Sequence, residues 1–145
     1  MKYEFFIAGK MRNKDNILKI CSLFDKYNIS YYCFLTNAKS SDSYAKDVDN
    51  VENKMQIFES LSLKSDTVLN VFNEDLENQK LSKNFLLVLP AGNSGHIEAG
   101  ISYGMGKKCY AIGDYEATDS LYNIFENIFS NEEELENFLK EYINE

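Results

Sequence analysis

The chain has 145 residues, of which 44% are hydrophobic and 14% aromatic, so it is long enough for one domain with a sizeable core. Its formal net charge of −8 would repel a DNA or RNA backbone, which excludes a nucleic-acid polymer as the expected partner. A small anionic ligand is still compatible, because local backbone N–H groups can outweigh a distant net charge. The sequence contains neither a signal peptide nor an apolar run near the roughly 18 residues of a membrane span. We therefore expect no membrane partner and a cytoplasmic location.

Three cysteines, at Cys21, Cys33 and Cys109, lie in apolar surroundings without CxxC spacing, and the chain has one histidine. This pattern is typical of reduced core residues in a cytosolic protein. Zinc sites usually need four Cys or His ligands. We therefore expect neither a metal site nor a cofactor.

Apolar runs and helical spacing alternate along the chain, which predicts a series of strands and helices. Polar residues 36–50 form a connection long enough to be a mobile loop over a site. Ser65 is predicted to cap the helix that follows it. In chain order, the predicted elements are strand 3–8, helix 16–27, strand 30–35, helices 51–63 and 66–80, strand 85–89, helix 101–107, strand 108–112, and helices 120–129 and 132–143.

Strands that alternate with helices pair in parallel, with the helices on both faces of the sheet. The sequence therefore predicts an α/β fold, an open doubly wound parallel sheet in a Rossmann-like or flavodoxin-like three-layer α/β/α arrangement, as a single domain over residues 1–145. Ligands of such sheets bind beyond the carboxyl ends of the strands. The first strand ends in Ala8 and Gly9, and the third is followed by Ala91 and Gly92. These small residues permit close approach of a ligand, although tight turns alone would also explain the glycines.

The segment 90–100 (Pro-Ala-Gly-Asn-Ser-Gly-His-Ile-Glu-Ala-Gly) connects a predicted strand to a predicted helix. Such a loop directs several backbone N–H groups, and the positive end of the helix, toward a phosphate or a sugar oxygen. Glu98 is expected in the first turn of this helix, where nearby N–H groups keep a carboxylate ionised. An ionised carboxylate beside an anomeric carbon can act as a nucleophile. The alternative is that Glu98 only complements the helix dipole.

A second acid is needed to assist the leaving group, and Asp75 is the candidate, with a solvent-facing helix position as the alternative. His96 either contacts a ligand or packs, and the Ser94 hydroxyl either binds a ligand or caps the helix. The residues predicted to bind substrate lie at the ends of the first and third strands: Phe6, Ala8, Gly9, Gly92, Asn93, Ser94, Gly95 and His96.

These residues resemble the motifs of the nucleoside 2-deoxyribosyltransferase family and its nucleotide N-hydrolase relatives. Residues 6–9 (Phe-Ile-Ala-Gly) are similar to the family's Tyr-x-Ala-Gly. Residues 92–100 are similar to its Gly or Ser turn followed by Glu-x-Gly, and residues 106–108 (Gly-Lys-Lys) to its step into the next strand. The resemblance implies that Glu98 is the nucleophile and that Asp75 contacts the base or leaving group.

The same resemblance implies that Ser94 and Gly95 hold sugar or phosphate. It also implies a homo-oligomer whose subunits complete one another's sites. Gly100, Tyr103 and Gly104 could form such a contact. The expected partner is a small-molecule nucleoside or nucleotide.

Two features depart from the family pattern. Phe6 stands where the family has a tyrosine that orients the glutamate, and residues 93–95 (Asn-Ser-Gly) replace its Asp-x-Gly-Thr. Residues 90–98 are also similar to the Pro-Gly-Gly-x-Gly-Thr-x-x-Glu motif of phosphoribohydrolases, and both resemblances imply cleavage or transfer at an N-glycosidic bond. A non-catalytic nucleotide or nucleotide-sugar binding module and a NAD glycohydrolase-like activity remain the alternatives.

Overall fold

The computed structural model describes residues 1–37, 51–116 and 119–145, with side chains in the second range described from Met55 onward. The predicted loop over the site therefore lies largely outside the described residues. Short 3-10 turns span Met11–Asn13 and Ser120–Ile124. The strands are β1 (Tyr3–Ala8), β2 (Tyr31–Cys33), β3 (Ser82–Val88), β4 (Lys108–Ile112) and β5 (Phe125–Phe129), and the helices are α1 (Lys14–Lys26), α2 (Val51–Glu59), α3 (Asp66–Lys80), α4 (Asn93–Gly104) and α5 (Glu132–Tyr142).

The five strands form one parallel sheet in the order β2-β1-β3-β4-β5. This confirms the predicted doubly wound α/β fold. From β1 the chain moves outward to β2, and it then returns past β1 to continue on the other side with β3. The direction of winding thus reverses between β1 and β3, and a crevice opens there at the carboxyl ends of the strands.

Alternate side chains of each strand point to opposite faces of the sheet, and each face is covered by helices. Phe5 and Ile7 pack in one core with residues of α1 and α5. Phe6 and Ala8 pack in the other core, together with Ala99 of α4. The face that carries Phe6 is therefore the face on which the predicted site must lie.

The prediction of a helix over 120–129 is wrong, because this segment is a 3-10 turn followed by the parallel strand β5. Its apolar residues at 121, 124, 125, 128 and 129 have helical spacing, which conceals the strand from a periodicity argument. β5 pairs with β4 through a register irregularity at Cys109 and Tyr110. Pairing with the free edge of β4 therefore determines the strand conformation of Phe125–Phe129, as tertiary context often does for short segments.

β3 begins at Ser82, earlier than predicted, because its polar residues are buried with hydrogen-bond partners. The Ser82 hydroxyl donates to the Asn78 carbonyl at 2.7 Å, and the Asn84 amide donates to the Glu4 carbonyl at 3.0 Å. β2 is shorter than predicted. The Ser65 cap is confirmed, since its hydroxyl accepts from the Val68 amide.

The three cysteines are free and buried, as the sequence predicts. None of the helices in the described ranges is long and apolar enough to cross a bilayer.

Replacing Tyr32 by Phe is expected to raise the free energy of unfolding by about 1 kcal/mol, because it removes a buried unsatisfied hydroxyl. Tyr32 is 2% exposed, and its hydroxyl has no hydrogen-bond partner among the described residues. Tyr142→Phe is the matched control, since that hydroxyl accepts from the Asn84 amide at 3.1 Å and donates to the Glu4 carboxylate. Urea unfolding should show opposite signs for the two variants. A loss of stability in Tyr32→Phe would contradict the prediction.

Candidate active site

A cavity of about 430 Å³ lies at the crevice between β1 and β3, on the face covered by α3 and α4. Its volume lies within the range of small-molecule sites, roughly 300 to 1,000 Å³. It is lined by five of the predicted site residues, namely Phe6, Gly9, Asp75, Ser94 and Glu98. A second cavity, of about 490 Å³, lies beside the start of α5 and contains none of them. The first cavity is therefore the candidate active site.

Most of the remaining wall of this cavity is apolar, with aromatic rings from three different segments. No Lys, Arg or His is present among its described lining residues. The wall can therefore cover a flat ring by apolar contact, while the part of it that the structure describes offers no side-chain cation to balance a negative charge. The apolar residues are Phe34, Phe58, Leu63, Val68, Val71, Phe72, Leu76, Ile97 and Ile101.

Two carboxyl groups meet in this apolar cavity, Asp75 from α3 and Glu98 from α4. Burial is the main cause that raises the pKa of Glu98 to about 8, and the charge of Asp75 adds to it. Burial likewise raises the pKa of Asp75 to about 7, with a further contribution from the charge of Glu74. Carboxyl pairs with raised pKa values are frequent in catalytic sites. The structure thus brings the two predicted acids together.

Two expectations for Glu98 need correction. The helix begins at Asn93 and not at residue 101, so Glu98 is its sixth residue and lies in the second turn. At this distance from the first-turn N–H groups the dipole no longer stabilises a carboxylate strongly, since its effect falls off within the first turn. Burial therefore dominates, and the expectation that Glu98 stays ionised through the helix amides is wrong.

The start of α4 lies directly on the sheet. Gly92 is the residue that precedes the helix, so Ser94 is inside the first turn and does not cap it. Gly95 is buried, and a Cβ at this position would lie 2.8 Å from Leu87 Cδ1. Asn93 and Gly92 are exposed and are not among the lining residues of the cavity. Of this segment, Ser94 faces the cavity, while Gly95 brings the helix close to β3.

The end of β1 forms the floor of the cavity. Phe6 is 2% exposed, and its ring stacks on Tyr32 at 5.3 Å and on Phe85 at 5.8 Å between centroids. Ala8 is buried in the same core. A Cβ on Gly9 would lie 2.7 Å from Ile17 Cδ1, so the chain passes too close to α1 for a larger residue without adjustment.

His96 is turned toward a neighbouring aromatic residue and is not among the residues that line the cavity. Its Nδ1 lies 2.8 Å from the Gly92 carbonyl oxygen and its Nε2 lies 2.8 Å from Tyr122 Oη. Because a carbonyl can only accept, Nδ1 carries a proton, and in the neutral ring Nε2 accepts from the Tyr122 hydroxyl. His96 thus joins the start of α4 to the 3-10 turn.

Gln79 lines the cavity and was missed by the sequence argument. It is 1% exposed, and its Nε2 donates to the Glu98 carbonyl at 2.7 Å and to Ser102 Oγ at 2.8 Å. A signal was present in the sequence: Gln79 follows Asp75 by four residues and Ser102 follows Glu98 by four, which places each pair on one helix face.

Comparison with known proteins gives a match in structure and none in sequence. No family model and no curated protein sequence matches this chain. A solved structure of a 2-deoxyribosyltransferase from the bacterium Bacillus psychrosaccharolyticus is similar to it, with a TM-score of 0.64 and 13% sequence identity. The similarity covers 92% of this chain and 90% of that one. At this identity the likeness shows the shared fold.

Proposed function

We propose that this chain cleaves, or transfers a glycosyl group at, the N-glycosidic bond of a nucleoside or nucleotide, with Glu98 as the nucleophile. The observation that carries the proposal is the meeting of Asp75 and Glu98 in one apolar cavity at the crevice between β1 and β3. The likeness in fold to a 2-deoxyribosyltransferase supports the same class of reaction. Retaining glycosidases use such a pair of carboxyl groups.

In the first step a carboxylate oxygen of Glu98 attacks the anomeric carbon of the sugar. The carbon–nitrogen bond breaks, and its electron pair leaves with the base. Asp75, acting as general acid or through a water, protonates the departing nitrogen. The products are a glycosyl ester on Glu98 and the free base.

In the second step water or another base attacks the anomeric carbon of the ester, and the Glu98 carboxylate leaves. Asp75, now ionised, accepts the proton of the incoming nucleophile. Hydrolysis and transfer thus differ only in the acceptor. The raised pKa values of about 7 for Asp75 and about 8 for Glu98 leave one proton on the pair between these pH values. Because the pKa of Glu98 is the higher, that proton resides mainly on Glu98, and the reaction proceeds from the minor form in which Asp75 carries it and Glu98 is ionised.

The cavity wall offers different contacts to the two halves of such a substrate. The rings of Phe34, Phe58 and Phe72 provide an apolar surface against which a base can pack. The hydroxyl of Ser94 and the first-turn amides at Gly95 offer donors to sugar oxygens. The buried Phe6 ring supports the floor beneath them. In this proposal Ala8, Gly9, Gly92 and Asn93 shape the backbone, and His96 holds the start of α4.

The absence of cationic side chains from the described lining favours an uncharged nucleoside over a phosphorylated one. Among the described residues, a phosphoribohydrolase or a NAD glycohydrolase-like enzyme would bind phosphate mainly through the α4 amides. These two activities are therefore secondary forms of the same proposal.

A second candidate function is a binding module that holds a nucleotide or nucleotide-sugar without turnover. Phe6 favours this second function, because Phe6 lines the cavity and its ring has no hydroxyl with which to orient Glu98. Such a module would show ligand-dependent thermal stabilisation and would leave the ligand intact after long incubation.

Liquid chromatography of a mixed panel of nucleosides, deoxynucleosides, their monophosphates and NAD tests these candidates. We expect the wild-type protein to release free base from a nucleoside, and a second free base to be exchanged into the product if transfer competes with hydrolysis. The phosphorylated substrates serve as the internal comparison. If every substrate stays intact while one of them raises the melting temperature, the binding module is the correct function and the enzymatic proposal fails.

The oligomeric form and the domain extent belong to this proposal. We propose that residues 1–145 act as one domain and that the protein assembles as a homo-oligomer. The outer face of α4 is suited to such a contact, because a Cβ added at Gly100 or Gly104 would meet nothing within 4 Å. Light scattering reports the assembly directly.

A further inference from the structure

Helices α3 and α4, which carry the two acids, are joined by hydrogen bonds from a side chain of α3 to a backbone carbonyl and a hydroxyl of α4. Asp75 and Gln79 are four residues apart on α3, and Glu98 and Ser102 are four residues apart on α4. Residues with this spacing share one helix face. Gln79 reaches across to Glu98 and Ser102, one turn from the level at which Asp75 and Glu98 face the cavity. The carboxyl pair therefore lies directly above a polar link between the helices.

The partners of Gln79 determine that its amide nitrogen is the donor in both hydrogen bonds. The Glu98 carbonyl can only accept a hydrogen bond, so the atom of Gln79 that lies 2.7 Å from it must be the amide nitrogen. The second proton of the same nitrogen is directed to Ser102 Oγ at 2.8 Å. Gln79 and Ser102 are 1% and 0% exposed, so water does not compete for these bonds. Both partners belong to α4, so a buried amide with both protons engaged ties Gln79 of α3 to one turn of α4 and fixes the separation of the two helices at this level.

We propose that Gln79 is a positioning residue that sets the separation of the Asp75 and Glu98 carboxyl groups by linking α3 to α4. The inference rests on the proposed function for its catalytic meaning, although the link itself exists without it. Gln79 touches the backbone of the nucleophile residue and not the reacting atoms in any described contact. Its contribution is geometric, and displacements of about 1 Å can cost a hundredfold in rate.

The surroundings of the pair contain other titratable groups that a test must take into account. Glu74 precedes Asp75 on α3, and its charge raises the pKa of Asp75. Tyr32 on β2 is within the electrostatic influence of Asp75 and Glu74. None of these groups is altered by a substitution at Gln79, so a change in the titration of the pair reports a change in its geometry or burial.

Gln79→Met tests the proposal, because methionine keeps the length of the side chain and removes its donors. We expect the carboxyl pair, followed by carbon-13 NMR of labelled Asp and Glu, to titrate at least about one pH unit lower as the helices separate and water enters. We also expect kcat to fall about tenfold or more with KM little changed. Ser102→Ala, which removes one acceptor and little volume, should shift the titration in the same direction by less.

Asn78→Ala is the matched control, since the Asn78 amide donates within its own helix, to the Glu74 carbonyl at 2.8 Å. It should leave the titration of the pair unchanged. An unchanged titration in folded Gln79→Met would overturn the proposal, as would an equal shift in Asn78→Ala. If Gln79→Met does not fold, the titration of Ser102→Ala decides. The titration needs no substrate, so a wild-type protein without turnover would refute the proposed function and still leave Gln79 tested.

Discussion

Glu98→Gln is expected to lower the rate of base release at least about 1,000-fold, because the amide cannot form the glycosyl ester. The substitution keeps the size of the side chain and removes the ionisable group that burial perturbs in the cavity. Substrate affinity should remain close to that of the wild type, since the ring contacts of the apolar wall are unchanged. Chromatographic release of base, with binding measured separately by calorimetry, checks both statements.

Glu77→Gln provides the control for this experiment. Glu77 is an exposed acid on α3 that does not line the cavity, so the same change of acid to amide should leave turnover intact. If Glu98→Gln retains the wild-type rate, Glu98 is not the nucleophile. If the rate falls, and formate restores turnover in Glu98→Ala, where the shortened side chain leaves room for a small nucleophilic anion, the covalent route is supported.

The free energy of unfolding is expected to fall as the pH rises from about 4 to about 8. The pKa of Asp75 is raised from 3.8 to about 7 and that of Glu98 from 4.5 to about 8 in the folded protein. The folded state therefore keeps protons that the unfolded chain has already released in this interval, and by linkage its stability declines with increasing pH. Above the folded-state pKa values the loss is complete and the curve levels off.

The double variant Asp75→Asn/Glu98→Gln should remove most of this dependence. Each pKa unit corresponds to about 1.4 kcal/mol, and both groups are shifted by several units, so the variant should be more stable than the wild type above pH 8 by several kcal/mol. Urea unfolding at pH 5, 7 and 9 measures the slope of both proteins. Parallel slopes would show that the two carboxyl groups have ordinary pKa values. The wild-type kcat/KM should in turn be highest between pH 7 and pH 8, where the pair holds one proton.

The sequence was sufficient for the parts of the fold that depend on local patterns. β1, β4 and α3 have the predicted bounds, because each is a clear apolar run or a capped amphipathic helix. The alternation of these elements then implied the parallel sheet. Asp75 and Glu98 could be proposed together because Asp75 precedes the central strand β3 and Glu98 follows it. The described cavity does contain both.

Other features depend on packing and were not accessible from local patterns. The strand conformation of Phe125–Phe129 comes from pairing with β4, whereas its own apolar spacing favours a helix. The raised pKa of Glu98 comes mainly from burial, and the sequence near Glu98 indicated only the helix amides. Gln79 is a third case, because its role requires the distance between α3 and α4, which no single segment encodes.

The two edges of the sheet limit how copies of this protein can associate. The outer strand β2 contains three residues, and the opposite outer strand β5 exposes Glu126 and Asn127. Short edge strands and outward charges both discourage the addition of another strand. Copies of the chain should therefore resist growth into fibrils by strand addition, even at high concentration. Among the described residues, the helix surfaces are therefore the expected contact regions of an assembly, and a mutational search for the interface can address them first.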